Sequence, residues 1–190
     1  MEQFHTMQIR NSPSRYGLVA VLMHWIVALA VIGLFVLGFW MVDLTYYHEW
    51  YKKGPDIHRS VGMLLFFLMV FRVIWRSADK NPASLPGHGR WEVLSARVVH
   101  LMLLVLLFVV MISGYLITTA DGSAIDVFGW FSVPSVTGQI KGMEDTAGIV
   151  HYWSTWLIVA LTALHAAGAI KHHLIDRDNT LKRMFGRSAA

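Results

Sequence analysis

The chain contains no cysteine. That absence excludes disulfides, thiolate ligation of a haem iron, covalently attached c-type haem and iron–sulfur clusters held by this chain. Charge is scarce as well. Only 15% of the residues are Asp, Glu, Lys or Arg while 55% are apolar, far from the balance of a soluble globular protein. Acidic residues are missing altogether from the four longest apolar stretches, 18–42, 57–75, 98–117 and 149–170, which counts against a metal carrier working through a membrane. No internal repeat or low-complexity tract is visible. No basic block is interleaved with base-stacking aromatics, so nucleic acid is excluded as a partner.

What the chain does have is length in each apolar stretch. Each supplies ~18–25 residues, enough for about 30 Å of hydrocarbon, and the first is too long and too aromatic for a signal-peptide core. The expected fold class is an all-α membrane protein, a four-transmembrane-helix up-down-up-down bundle in one domain spanning 1–190, with a long outer loop over 118–148. Arg10 and Arg15 precede the first stretch, Arg76, Lys80, Arg90 and Arg97 surround the second connection, and Lys171, Arg177, Lys182, Arg183 and Arg187 follow the fourth. Basic residues concentrated on that side place both termini in the cytoplasm. The net charge of +4 then reflects topology and contact with anionic membrane lipid. Tyr46, Tyr47, Trp50 and Tyr51 in the first connection read as interfacial belt residues. The cluster Phe128-Gly129-Trp130-Phe131 reads either as a cover over the outer end of the bundle or as an interfacial anchor.

The informative residues are histidines. His151 and His165 stand fourteen residues apart in the last stretch with no charge between them. Fourteen steps of ~100° return to within roughly 40° of the starting direction at a rise of about 21 Å, so both imidazoles share one helix face at two depths. His58, at the outer end of the second stretch, matches the level of His151, and His24, inside the cytoplasmic end of the first, matches that of His165. A single intramembrane histidine is explained by an interhelical hydrogen bond; two matched pairs are not. Two neutral imidazoles per level are too few for structural zinc and sufficient as the axial ligands of a haem iron. Gly62, Gly148 and Gly168 lie three or four residues from His58, His151 and His165, where they either let a porphyrin approach the backbone or serve ordinary small-residue packing. His100 is a third histidine at the inner level, and spacing alone leaves it open as a ligand in place of His24. Arg72, fourteen residues after His58, points inward at the lower level, where it or Arg76 can pair with propionates, although membrane anchoring is the simpler role for Arg76. His172, seven residues past His165, suits a quinone headgroup or propionate site, or a snorkelling surface position.

In their order along the chain, Arg15-Tyr16 before His24-Trp25, His58 with Gly62 and Arg72, Gly114, Phe128-Gly129, His151 with His165, His172-His173 and the closing Asp178-Asn179-Thr180-Leu181-Lys182-Arg183-Met184 resemble the small bacterial cytochrome b561 family over nearly the whole chain. The resemblance implies two haem b groups, with His24 and His165 as the metal ligands of the cytoplasmic one and His58 and His151 as those of the periplasmic one, and leaves His100 as a non-ligand. It also implies ubiquinone near His172 and, in the superoxide oxidase type, superoxide as electron donor and a place in the respiratory chain. Lys52, Lys53, Arg59 and Lys141 are then candidates for attracting the anion. The elaborate outer loops leave a second reading, an electron-conducting subunit serving a dehydrogenase, hydrogenase or periplasmic redox protein.

Overall fold

A computed structural model describes residues 8–83, 85 and 89–186. Four long helices dominate it: α1 (Leu18–Met41), α2 (Trp50–Ala78), α3 (Arg90–Thr119) and α4 (Met143–Leu174). All four are long and apolar enough to cross a membrane. Between α3 and α4 lies a small antiparallel hairpin of β1 (Ile125–Val127) and β2 (Phe131–Val133), and α5 (Thr180–Arg183) follows α4.

Local chemistry sets the helix ends. The Glu92 side chain turns back to accept a hydrogen bond from Gly89 N at 3.0 Å, closing the start of α3. Gly142, at φ +77°, turns the chain into α4, in the left-handed region that glycine occupies without steric cost. Glu144 and Asp145 in the first turn of α4 and Lys171, His172 and His173 in its last suit the positive and negative ends of the helix dipole. α2 starts earlier than expected: Lys52, Lys53 and Pro55, assigned from sequence to the first connection, are helical. Pro55 is the sixth residue of α2, so the helix forgoes the hydrogen bond that an N–H there would give to the Tyr51 carbonyl.

The apolar core joins three helices. Val27 of α1 meets Leu65 and Met69 of α2, with Leu104, Leu107, Phe108 and Met111 of α3 packed against them. A second cluster places Ile125 and Val127 of β1 on Met63 of α2. Neither cluster includes a residue of α4. That helix packs along α3 and meets α1 and α2 through rings, including Phe35 against Trp156 at 5.4 Å between centroids.

At the inner end the connecting segments interlock. Gly17 N donates to Asn11 Oδ1 at 2.8 Å, and buried Asp79 accepts from both Asn11 N and Trp75 Nε1. Trp25 Nε1 donates to Met184 O at 2.8 Å, and the Trp25 ring stacks on Phe185. The C-terminal segment is therefore tied beneath α1, next to His24.

Candidate haem sites

The four predicted histidines meet in the two predicted pairs. His58 of α2 faces His151 of α4 with ring centroids 6.2 Å apart and planes at 68°. His24 of α1 faces His165 of α4 at 6.3 Å and 63°. Two imidazoles bound to one metal through bonds of ~2 Å have ring centres roughly 6 Å apart, so each pair leaves the room that an axial pair on one iron requires. The shared helix α4 separates the pairs by fourteen residues, about 21 Å along its axis.

Hydrogen bonding distinguishes the members of the outer pair. His151 Nδ1 donates to Val110 O at 2.9 Å, with Ser113 Oγ at 3.3 Å, which fixes the ring and leaves Nε2 for a metal. His58 Nδ1 is buried without a hydrogen-bond partner among the described residues, as befits an imidazole whose environment is completed by a group the chain does not supply.

A Cβ added at Gly62, Gly148 or Gly168 would meet nothing within 4 Å, so each of the three faces open space rather than a packed helix. Two other glycines do a different job. A Cβ at Gly38 would come within 3.1 Å of His58 Cε1, and one at Gly114 within 3.1 Å of His151 Cε1. These two positions make room for the imidazole rings themselves. Gly38 was not identified from sequence, and Gly114 only as part of a motif. The signal was present: Gly38 follows His24 by fourteen residues and Gly114 follows His100 by fourteen, the spacing that also relates His58 to Arg72 and His151 to His165.

His100 lies beside the inner pair, its ring centroid 4.9 Å from that of His165, closer than two ligands on opposite faces of a porphyrin can stand. It is exposed, whereas His24, His58, His151 and His165 are all half-buried. Arg72 is half-buried at the inner level and near enough for its charge to act on both His24 and His100. His172 Nδ1 lies 2.7 Å from Asp176 Oδ2 and 3.4 Å from Asp178 Oδ2, and its side chain is 19% exposed.

On the outer side the hairpin is pinned to α2 by buried Ser60, whose Oγ donates to Asp126 O and accepts from Phe128 N at 3.2 Å. The rings of Phe128, Trp130 and Phe131 remain exposed. The backbone of this loop thus covers the end of α2 while its aromatic side chains are free to anchor at an interface. Ser123 donates to the Asp121 carboxylate at the loop's start and holds it below the ordinary carboxylate range. Two cavities of about 400 and 410 Å³ open at the outer end of α2, both lined by Asp56 and Arg59, which form an ion pair. Lys52 lines the first cavity; Lys53 and Lys141 line neither.

The chain is similar to known proteins over nearly its whole length. The family model described as prokaryotic cytochrome b561 matches residues 15–187. Cytochrome b561 homolog 2 of Escherichia coli K12 is 47% identical over 184 residues, covering 97% of this chain and 98% of its own. Cytochrome b561 homolog 1 of the same organism is 27% identical, covering 92% of this chain and 98% of its own. A Yersinia pestis protein named probable superoxide oxidase CybB is also 27% identical, covering 90% of this chain and 95% of its own.

Proposed function

Because the chain belongs to the prokaryotic cytochrome b561 family of membrane electron-transfer proteins, we propose that it carries two b-type haems and moves electrons from a periplasmic donor, superoxide, to ubiquinone. The observation that carries this reading is the pair of matched histidine couples, 6.2 and 6.3 Å between ring centroids. The single domain lies in the inner membrane with both termini cytoplasmic, following the positive-inside distribution of Lys and Arg. Superoxide enters the reading through the relative of that name at 27% identity.

Bound haem supplies reversible one-electron iron chemistry; the chain supplies ligation, spacing and electrostatics. His58 and His151 hold the outer group, and the Val110 carbonyl fixes the tautomer of His151. His24 and His165 hold the inner group, with Arg72 as counter-charge for a propionate. The open faces of Gly62, Gly148 and Gly168 admit the porphyrin edges. At the outer mouth, Lys52 and Arg59 lower the energy of an approaching anion. The electron balance is two superoxide anions oxidised to two O2 for each quinone reduced, with two protons taken up. His172 borders the quinone headgroup.

The alternative, a conduit for a separate dehydrogenase, hydrogenase or periplasmic redox protein, draws on the exposed aromatic rings of the outer loop. One experiment separates the two. Superoxide is added to the purified protein and the haem absorption bands are followed with and without a ubiquinone analogue. Rapid reduction that quinone reverses is the expected result; intact haem bands that superoxide leaves oxidised would overturn superoxide as the donor and favour the conduit.

A further inference from the structure

The four helices meet one another at two depths. At the outer level the His58 ring faces that of His151, with Gly38 against His58 and Gly114 against His151. At the inner level the His24 and His100 rings both face that of His165, and Arg72 is near enough for its charge to act on His24 and His100. Each helix thus gives one position to each level, fourteen residues apart: 24 and 38, 58 and 72, 100 and 114, 151 and 165. The residue seven along from the first of each pair lies halfway, about 10 Å from either level. These residues are Val31, Leu65, Leu107 and Ile158. All four are branched aliphatics. Val31 and Leu107 pack with Leu65 in one cluster, and Ile158 is only 4% exposed. Around this depth, the stretches 26–37 of α1, 61–71 of α2 and 101–112 of α3 hold no hydroxyl, amide or charged side chain.

α4 differs. His151, Thr155, Ile158, Thr162 and His165 follow one another at steps of four, three, four and three, so they share one helix face from the outer level to the inner. Thr155 and Thr162 are half-buried, and Thr155 Oγ1 is buried without a hydrogen-bond partner among the described residues. That face is a line of polar side chains broken at one place. The break is Ile158, at the depth where the other three helices are aliphatic as well.

We propose that Ile158, with Val31, Leu65 and Leu107 at its depth, forms a barrier that lets electrons pass between the two haem levels and stops protons. The inference rests on the two-haem reading above. An electron tunnels through apolar side chains, whereas a proton advances only between groups in hydrogen-bond contact, about 3 Å apart. Thr155 and Thr162 are seven residues apart, about 10 Å along the helix. A gap of that length lined by aliphatic side chains excludes the waters that would bridge it. Without the break, the hydroxyls of α4 would form the start of a relay through the bundle, and a proton leak there would discharge the potential across which the electrons move. Packing alone asks only for a side chain of suitable volume at this position; the barrier asks for one without a polar atom.

The test compares Ile158→Thr with Ile158→Val, two side chains of the same shape that differ by a hydroxyl. The full haem-loaded proteins are placed in phospholipid vesicles that enclose a pH-sensitive dye, and a potassium gradient with valinomycin drives protons across the membrane. The expected result is a proton flux several-fold faster with Ile158→Thr than with the unmodified protein or Ile158→Val, while both haems of the variant stay low-spin. Equal fluxes in Ile158→Thr and Ile158→Val would overturn the proposal, and so would an unmodified protein that leaks as fast as Ile158→Thr. If Ile158→Thr loads no haem, Ile158→Ser measured against Ile158→Ala decides by the same comparison. The flux is read without electron donor or acceptor, so its failure is separate from that of the two-haem reading, which falls if the unmodified protein binds fewer than two haems.

Discussion

Gly114 lies against His151 so closely that a single added carbon would stand 3.1 Å from the imidazole Cε1 and 3.3 Å from Nδ1. The same imidazole is held on its Nδ1 side by the Val110 carbonyl. The ring is thus fixed by a hydrogen bond and by the absence of a side chain. The other imidazole of the outer pair repeats the arrangement, with Gly38 against His58.

Gly114→Ala should therefore displace His151 from its rotamer by a few tenths of an ångström. An off-rotamer side chain costs about 1 kcal/mol, a several-fold loss of affinity. The expected outcome is lower outer-haem occupancy and a shifted outer-haem potential with the inner haem unchanged, read by redox titration of the absorption bands. Gly38→Ala should do the same through His58. Gly148→Ala, where the added carbon meets nothing within 4 Å in the chain itself, should perturb only the haem-loaded protein; equal destabilisation of the haem-free chain would place ordinary packing there instead.

Ser60→Ala should loosen the outer hairpin. It leaves the Phe128 N–H without its acceptor, in a residue already at φ +52°, and a hydrogen bond of this kind contributes about 0.5–1.5 kcal/mol. Faster amide hydrogen exchange across β1 and β2, with α1 to α4 unaffected, is the expected outcome. Unchanged exchange would show that Val127 and Ile125 hold the hairpin by apolar contact alone.

The outer cavities rank the basic residues. Lys52 lines one of them and Lys53 does not. Lys52→Glu should slow reduction by superoxide several-fold at low ionic strength, with the effect fading at high salt, and Lys53→Glu should have the smaller effect. Stopped-flow mixing at two salt concentrations checks this; equal effects would mean that the field acts over the whole outer surface rather than through the cavity.

The fold was legible wherever one strong local signal decided it. Four long apolar runs free of acidic residues could only be helices in a membrane, and the fourteen-residue spacing put His151 and His165 on one face. The start of α2 was harder, because Pro55 reads as punctuation and yet lies inside the helix, as its sixth residue, at the cost of one backbone hydrogen bond. The hairpin was read as loop. Its strands have three residues each, too few for an alternation to register, and what secures it, Ser60 on α2, is distant in sequence. The same limit hid the ties of Trp25 to Met184 and of Arg183 to Ala83. In the site, His100 stayed ambiguous because sequence gives depth but not lateral distance, and 4.9 Å against 6.3 Å is a lateral difference. Gly38 was missed because a lone glycine in an apolar helix carries no marker unless its spacing from His24 is measured.

The most direct measurement is haem content and spin state in the His151→Ala and His165→Ala variants beside the unmodified protein. The pairing of His58 with His151 and of His24 with His165 predicts two low-spin b-type haems per chain. It further predicts loss or destabilisation of the outer haem alone in the first variant and of the inner haem alone in the second. Two intact low-spin haems in either variant would contradict it.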